Sequence, residues 1–289
     1  MMRSSRNMAL AAVAAGIASI ALMLVVLGSA ISAEEGQMND RRLMGIMYHQ
    51  VLKDESRSGK YVVTLDELEA DLAYLAENNF VSVLPSDIVN VVDNNGVLPE
   101  KSVMITFDDG YETGLYYVLP LLEKYNMKAV INIVGSYTDK YSEIDCEGEH
   151  LSYAYLTWDE VKRLSDSGRV EIGNHTYSMH SDENGRKGCS RLPGESDEEY
   201  HSIFLQDISA LSEKIRSVTG RKPVSFAYPY GIISEGSKEI AAENGVRVFM
   251  TCCELPSIID DADRIVINRY NRESGRPVSE IYLQYSQSL

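Results

Sequence analysis

Apolar positions along most of the chain follow two alternating patterns. Short apolar runs, such as residues 102–107 and 129–134, predict buried strands. Between these runs, apolar residues recur every three or four positions, which predicts amphipathic helices. Three helical stretches begin with Ser or Thr followed three residues later by Glu, the capping-box pattern of a helix N-terminus: Thr64 with Glu67, Thr157 with Glu160, and Ser196 with Glu199.

This alternation of strands and helices predicts an α/β fold with a mainly parallel sheet or barrel. No repeat or low-complexity linker divides residues 34–289, so we expect a single domain there. In such folds the functional residues lie at the carboxyl ends of the strands. The predicted strands are residues 43–48, 80–84, 102–107, 129–134, 170–172, 223–226 and 246–251.

An uncharged, mostly apolar run of residues 8–33 follows Arg3 and Arg6 at the N-terminus. About 20 apolar residues are enough to cross a bilayer as a helix. The positive charges before the run predict that the rest of the chain is exported. Residues 1–33 are therefore predicted to be a signal-anchor, which the length of the run favours, or a cleaved signal peptide. Either interpretation makes the protein extracytoplasmic, membrane-anchored or secreted.

Charge and cysteine content narrow the possibilities further. A net charge of −16 argues against a nucleic-acid partner, because phosphate binding needs clustered Lys and Arg. Cys146 and Cys189 lie in polar loops, where export would permit a disulfide; two free thiols are the alternative. The adjacent Cys252 and Cys253 follow an apolar run and are predicted to be buried thiols on a strand, since a bridge between neighbours is strained.

Acidic and imidazole side chains follow two of the predicted strands. Asp108 and Asp109 come directly after residues 102–107, and His175 and His180 follow residues 170–172. One carboxylate and two imidazoles make the ligand set of a catalytic zinc-like site, which keeps a position open for water. The second carboxylate is then available as a general base. Taken separately, an ordinary Asp-Asp-Gly turn and two surface histidines are the alternatives.

These motifs together resemble those of the polysaccharide deacetylases, also called NodB-homology or carbohydrate esterase family 4 enzymes. The resemblance rests on Thr-Phe-Asp-Asp-Gly at 106–110, on Gly-Asn-His-Thr-Tyr-Ser-Met-His at 173–180, and on Ala-Tyr-Pro-Tyr-Gly at 227–231. It extends over about residues 43–269 and implies a distorted, incomplete (β/α) barrel. The implied activity is metal-dependent hydrolysis of N-acetyl groups from an N-acetylglucosamine-containing cell-surface polysaccharide, with release of acetate.

The resemblance also implies roles for individual residues. Asp109, His175 and His180 would bind a divalent metal, and Asp108 would be the general base. The backbone N–H of Tyr230 would help to hold the oxyanion. Zinc is the expected metal, and nickel, cobalt or iron(II) also suit these ligands.

Tyrosines flank the expected ligands in the sequence. Tyr111, Tyr177 and Tyr230 are therefore candidates for lining a glycan groove.

Three departures from the common family pattern matter. The two histidines are five residues apart, whereas many members space them four apart. Ala227 stands where many members carry an Arg that orients the base; Arg269 is the candidate replacement, and a structural salt bridge is its alternative role. No late Leu-plus-His motif is present, but Tyr48-His49 matches an early motif of the poly-β-1,6-N-acetylglucosamine deacetylase subgroup. His49 would then protonate the leaving amine, unless it is an ordinary strand-end histidine.

Several substrates are compatible with these motifs. An exopolysaccharide of β-1,6-linked N-acetylglucosamine is favoured by the analogy, while peptidoglycan and chitin-like oligomers also fit an exported enzyme. A hydrolase of another ester or of a small-molecule amide, and a non-catalytic glycan-binding relative, are the alternative functions. The sequence makes no prediction of the oligomeric state.

Overall fold

The computed structural model describes residues 42–144, 151–259 and 264–288, together with Met23. One compact unit spans Arg42–Leu289. The predicted membrane segment, residues 1–33, lies outside the described residues apart from Met23, and so does Cys146. In the part of the chain that the structure describes, no helix has the length and apolar character needed to cross a membrane.

The helices and strands alternate through most of this unit. In chain order they are β1 (Arg42–Tyr48), β2 (Gln50–Leu52), β3 (Val62–Thr64), α1 (Leu65–Glu77), β4 (Val81–Ser82), α2 (Pro85–Asp93), β5 (Ser102–Phe107), α3 (Leu119–Lys124), β6 (Ala129–Ile133), α4 (Gly135–Ser142), α5 (Trp158–Asp166), β7 (Val170–Asn174), α6 (Asp197–Thr219), β8 (Ser225–Ala227), α7 (Ser237–Glu243), β9 (Val248–Met250), β10 (Ser257–Ile258), β11 (Ile265–Ile267), β12 (Arg269–Asn271) and α8 (Val278–Gln287). A π-helical turn, Gly114–Val118, leads into α3.

The main sheet is parallel and nearly closes into a barrel. Strands β1, β5, β6, β7, β8, β9 and β11 pair in that order, all parallel. Only Asn268 separates β11 from β12, and β12 pairs in parallel with β1, so this segment joins the two sides of the sheet. At this seam a Cβ on Gly45 would lie 2.4 Å from the Asn268 carbonyl oxygen, which only glycine avoids. The predicted α/β class with a barrel-like parallel sheet is confirmed.

The capping boxes predicted from sequence are all formed. Thr64, Thr157 and Ser196 each accept a hydrogen bond from the backbone N–H three residues ahead, and the Glu carboxylate at that position accepts one from the backbone N–H of the cap residue. Each cap satisfies two of the N–H groups that a helix leaves unpaired at its start. The helices that follow bury their apolar faces against the sheet.

The expectation for Cys252 and Cys253 needs correction. Strand β9 ends at Met250, and Cys252 and Cys253 lie after it in an exposed loop instead of being buried on the strand. The cause is local, because the Thr251 hydroxyl accepts the Cys253 N–H at 3.2 Å and turns the chain out of the sheet. Cys189 is a free, buried thiol in the structure.

A buried ion pair ties the C-terminal helix to the start of the sheet. Asp71 on α1 accepts hydrogen bonds from Arg272 Nε at 2.6 Å, the Tyr48 hydroxyl at 2.9 Å and the Val278 N–H at 2.9 Å. Asp71 and Arg272 are each only 2% exposed. Helix α1, strand β1, helix α8 and the segment that follows β12 therefore meet at one carboxylate.

We expect Asp71→Ala to lower the free energy of unfolding by about 3–5 kcal/mol, because it removes the nearest counter-charge of the buried Arg272 and leaves only Glu67, 3.6 Å away. Urea denaturation measures the change. Asp166→Ala, which breaks the exposed Lys162–Asp166 pair, is the control and should change stability by less than about 0.5 kcal/mol. Equal losses in the two variants would contradict the role assigned to the buried pair.

Candidate active site

The turn after β5 aims two neighbouring carboxylates into one cavity. Asp109 has φ +71° and Gly110 has φ +73°, so both residues are in the left-handed region, which Asp and Gly tolerate better than most residues. On a regular strand, adjacent side chains would point to opposite faces. Here the turn breaks that alternation, and Asp108 and Asp109 both line a cavity of about 610 Å³.

Asp109, His175 and His180 form a compact ligand cluster. One donor atom from each residue lies within 4.8 Å of the others. Asp109 Oδ1 is 3.1 Å from His180 Nε2 and 3.5 Å from His175 Nε2. His175 Nδ1 lies 2.8 Å from the Ala227 carbonyl oxygen. A carbonyl only accepts, so Nδ1 carries the ring proton and Nε2 presents a lone pair to the cluster.

This donor set fits a divalent metal. Asp109 Oδ1 is buried, and among the described residues it has no hydrogen-bond partner. An unpaired buried carboxylate oxygen is costly, and a cation between it and the two imidazoles would satisfy it. Burial raises the pKa of Asp109, but His175 and His180 hold it well below its usual value. The carboxylate is therefore in the ionised form that ligates metals.

Asp108 is held by Arg269 in a buried bidentate ion pair. Arg269 Nη1 donates to Asp108 Oδ1 at 2.8 Å and Nη2 donates to Oδ2 at 2.9 Å. The guanidinium also donates to Thr106 Oγ1 at 3.0 Å and to the Thr251 carbonyl at 3.0 Å. Burial raises the pKa of Asp108, but the charges of Arg269 and His175 hold it well below its usual range. The structure thus brings Arg269 to the carboxylate predicted as base.

Asn132 is a contact of Asp108 that the sequence reasoning missed. Its Nδ2 donates to Asp108 Oδ1 at 2.7 Å from the neighbouring strand β6. Gly173 on β7 makes room for it, since a Cβ there would lie 2.0 Å from Asn132 Oδ1. The available signal was a single amide in the otherwise apolar, fully buried strand Ala-Val-Ile-Asn-Ile.

His49 lies at the same edge of the sheet because β1 and β5 are parallel neighbours. The Asp108 N–H donates to the Tyr48 carbonyl at 2.9 Å, which places the residue after Tyr48 beside the acidic turn. The His49 ring packs against Tyr61 with centroids 4.7 Å apart and lines the cavity. Burial lowers the pKa of His49, and the nearby Asp108 and Asp109 carboxylates oppose this.

Of the three tyrosines predicted to line a groove, the structure places two in the cavity wall. Tyr111 and Tyr230 line it, and the Tyr230 ring lies 4.8 Å from that of His180. Tyr177 does not line it. Its hydroxyl instead donates to Asp139 at 2.6 Å, and Lys214 lies over its ring. The expectation that Tyr177 contacts substrate is therefore not supported by its position.

A tyrosine wall, defined here as Tyr111, Tyr137 and Tyr155, stands beside the ligand cluster and was not predicted as a unit. Tyr111 stacks on Tyr155 at 4.8 Å, and Tyr137 packs on Tyr155 at 4.6 Å. The Tyr137 hydroxyl donates to the His180 backbone carbonyl at 3.0 Å. The wall therefore holds the backbone of one candidate ligand through Tyr137, and it reaches the cavity through Tyr111.

The comparison with protein families agrees with this geometry. A family model described as "Polysaccharide deacetylase" matches residues 95–249, just over half of the chain. This chain belongs to the polysaccharide deacetylase family. The matched range includes the acidic turn and both histidine ligands, while His49 and Arg269 lie outside it, so their assignment to the site depends on the structure.

Several known polysaccharide deacetylases are similar to this one. Poly-beta-1,6-N-acetyl-D-glucosamine N-deacetylase of Escherichia coli strain K12 is 28% identical over 225 residues, covering 72% of this chain and 33% of the relative. The chain thus spans about a third of the length of that relative. A Staphylococcus epidermidis protein of the same name is 22% identical over 272 residues, covering 86% of this chain and 89% of the relative. The structure of a de-N-acetylase from Aggregatibacter actinomycetemcomitans superposes with a TM-score of 0.69 at 25% identity, over 84% of this chain and 99% of that one.

We expect the purified polysaccharide deacetylase, dialysed against zinc, to retain one divalent ion per chain. Most of the bound metal should be lost in each of three variants, because each removes one ligand: Asp109→Ala, His175→Ala and His180→Ala. Elemental analysis by mass spectrometry measures the content. His201→Ala is the matched control, since His201 pairs with Glu243 on the surface. If the ligand variants kept the same zinc content as the control, the cluster would not be the metal centre.

Proposed function

We propose that this protein is a metal-dependent N-deacetylase that removes acetyl groups from an N-acetylglucosamine-containing cell-surface polysaccharide and releases acetate. One observation carries the proposal: a three-ligand cluster suited to a divalent metal lies beside Asp108, a separate carboxylate held by Arg269, in one cavity. Membership of the polysaccharide deacetylase family supports it. A glycan-binding relative without activity would not need this complete set of groups.

In this proposal Asp109, His175 and His180 hold the metal. When bound there, a divalent ion would supply Lewis-acid polarisation of the acetamide carbonyl and would lower the pKa of a water. Zinc is the expected ion, and nickel, cobalt and iron(II) suit the same ligands.

Asp108 takes the proton of the attacking water. Its Oδ1 already accepts from both Arg269 and Asn132, whereas Oδ2 accepts from Arg269 alone. The second lone pair of Oδ2 is therefore the proton acceptor. Because Arg269 holds the pKa of Asp108 low, this carboxylate is a weak base and needs a water that is already acidified.

His49 and Tyr230 act on the other parts of the acetamide. His49 protonates the leaving nitrogen, so that a neutral amine departs. Tyr230 adopts φ +57° in its turn, and its backbone N–H donates to the oxyanion that forms on the acetyl carbonyl. Both residues line the cavity.

The substrate we propose is a polymer of β-1,6-linked N-acetylglucosamine. The names of the Escherichia coli and Staphylococcus epidermidis relatives support this choice. Tyr61 and Tyr230, 49% and 47% exposed, stand on the cavity and offer faces on which sugar rings can stack. Residues 1–33 would anchor the enzyme at the membrane or direct its secretion, so that it meets the polymer outside the cytoplasm.

We expect the full chain to release acetate from β-1,6-linked N-acetylglucosamine oligomers. Release should stop after metal removal, return with zinc, and fall roughly 10²–10⁴-fold in Asp108→Asn, which lacks the base. Coupled acetate detection measures the rate, and His201→Ala is the control. Release by metal-free protein would contradict the metal dependence. Activity only on peptidoglycan, chitin oligomers or acetate esters would contradict the proposed substrate.

We expect Arg269→Lys to lower kcat by up to about 100-fold while KM changes little. Lys keeps the charge but cannot make the two parallel hydrogen bonds that fix Asp108. KM should change little because Arg269 is fully buried and does not line the cavity. Steady-state kinetics on the same oligomers separates the two constants. A rise in KM with unchanged kcat would mean that Arg269 acts in substrate binding instead.

A further inference from the structure

The loop between His175 and His180 is not stabilised by the backbone hydrogen bonds of a helix or a strand. His175 follows directly on β7, but residues 176–180 belong to neither a helix nor a strand. Thr176 has φ +73°, an unusual value for a β-branched residue. The position of His180 therefore depends on whatever holds the backbone of this loop.

A carboxylate from helix α6 binds the N–H groups of this loop. Asp207 Oδ1 accepts from the Tyr177 N–H at 2.7 Å, and Oδ2 accepts from the Ser178 N–H and hydroxyl, each at 2.8 Å. Successive backbone N–H groups that converge in this way form an anion-binding concavity. Here the anion belongs to the chain itself.

The opposite side of the loop is held by helix α4. The Gly135 N–H donates to the Thr176 carbonyl at 3.1 Å, and the Ser136 N–H donates to the Tyr177 carbonyl at 2.8 Å. The Thr176 and Tyr177 carbonyls thus pair with the start of α4, whereas the Tyr177 and Ser178 N–H groups pair with Asp207. Removing the carboxylate would leave the Tyr177 and Ser178 backbone donors unpaired on one side only, so the loop would rearrange around its remaining contacts.

We propose that Asp207 is a positioning residue of the metal centre, which fixes the backbone of residues 177 and 178 so that His180 reaches His175 and Asp109. The inference rests on the proposed function, because it takes this cluster as a metal centre. Asp207 is 8% exposed and does not line the active-site cavity. It acts only through the loop, and the loop sets the separation of two ligands that are five residues apart.

Cobalt titration of the metal-free full chain, followed by visible absorption, tests this inference without any substrate. We expect Asp207→Ala to bind cobalt about 10–100-fold more weakly, the usual effect of removing a group that orients a ligand. Asp207→Asn should lose less cobalt affinity than Asp207→Ala, because its amide oxygen still accepts one of the hydrogen bonds. Ile215→Ala, a buried change on the same helix, is the matched control: its unfolding midpoint should fall while its cobalt affinity stays unchanged.

Amide hydrogen exchange gives a second readout that needs no metal. In Asp207→Ala the amides of Tyr177 and Ser178 should exchange faster than in the unaltered protein. In Ile215→Ala these two amides should exchange faster only as far as the lower global stability of that variant accounts for. Unchanged cobalt affinity in a folded Asp207→Ala variant would overturn the inference. If the unaltered protein bound no metal, the proposed function would fail. Separately, unchanged exchange at the Tyr177 and Ser178 amides in Asp207→Ala would contradict the contact between Asp207 and the loop.

Discussion

The buried pair between Arg269 and Asp108 is the contact on which both the barrel and the site depend. Arg269 lies on β12 at the seam, Asp108 directly follows β5, and the guanidinium also donates to the Thr251 carbonyl just after β9. One side chain therefore joins strands from both sides of the closure. Removing two charges from water costs several kcal/mol for each ion, so such a pair persists only when its geometry is good and its other donors are satisfied. The two parallel bonds, together with those to Thr106 and Thr251, meet this condition.

Backbone strain is concentrated at the same edge of the sheet. The non-glycine residues with positive φ among those described fall into two groups. Asn79, Asn95 and Asn126 follow helices, where asparagine commonly adopts this conformation. Asp109, Thr176 and Tyr230 instead stand in the three strand-end motifs of the site. Such conformations persist only where the surroundings enforce them, and they cluster at functional sites. The strain agrees with a site whose side chains must converge.

Much of the fold and of the candidate ligand cluster could be predicted from the sequence because both follow local rules. Apolar periodicity and capping boxes predict the helices, and the parallel topology carries the strand-end residues to one edge. The same reasoning failed for Cys252 and Cys253, because an apolar run does not show where a hydroxyl such as that of Thr251 will turn the chain.

Contacts between distant segments were harder to predict. Arg269 could be suggested only as a replacement for a missing family residue. Asn132 and Asp207 give a weaker sequence signal: each is a polar residue on a face that is mostly buried and apolar. That pattern shows that a partner exists, but only the tertiary structure shows that the partners are Asp108 and the histidine loop.

The seam at β12 also has a consequence for the order in which the protein is made. Asp108 and Arg269 are 161 residues apart in the sequence. During synthesis the acidic turn and both histidines therefore emerge well before the cation that neutralises Asp108. Until β12 arrives, the strands around the turn enclose a carboxylate without its counter-charge, which disfavours closing the barrel early. The seam between β12 and β1 can therefore form only late in synthesis, after nearly all of the residues that line the cavity have been made.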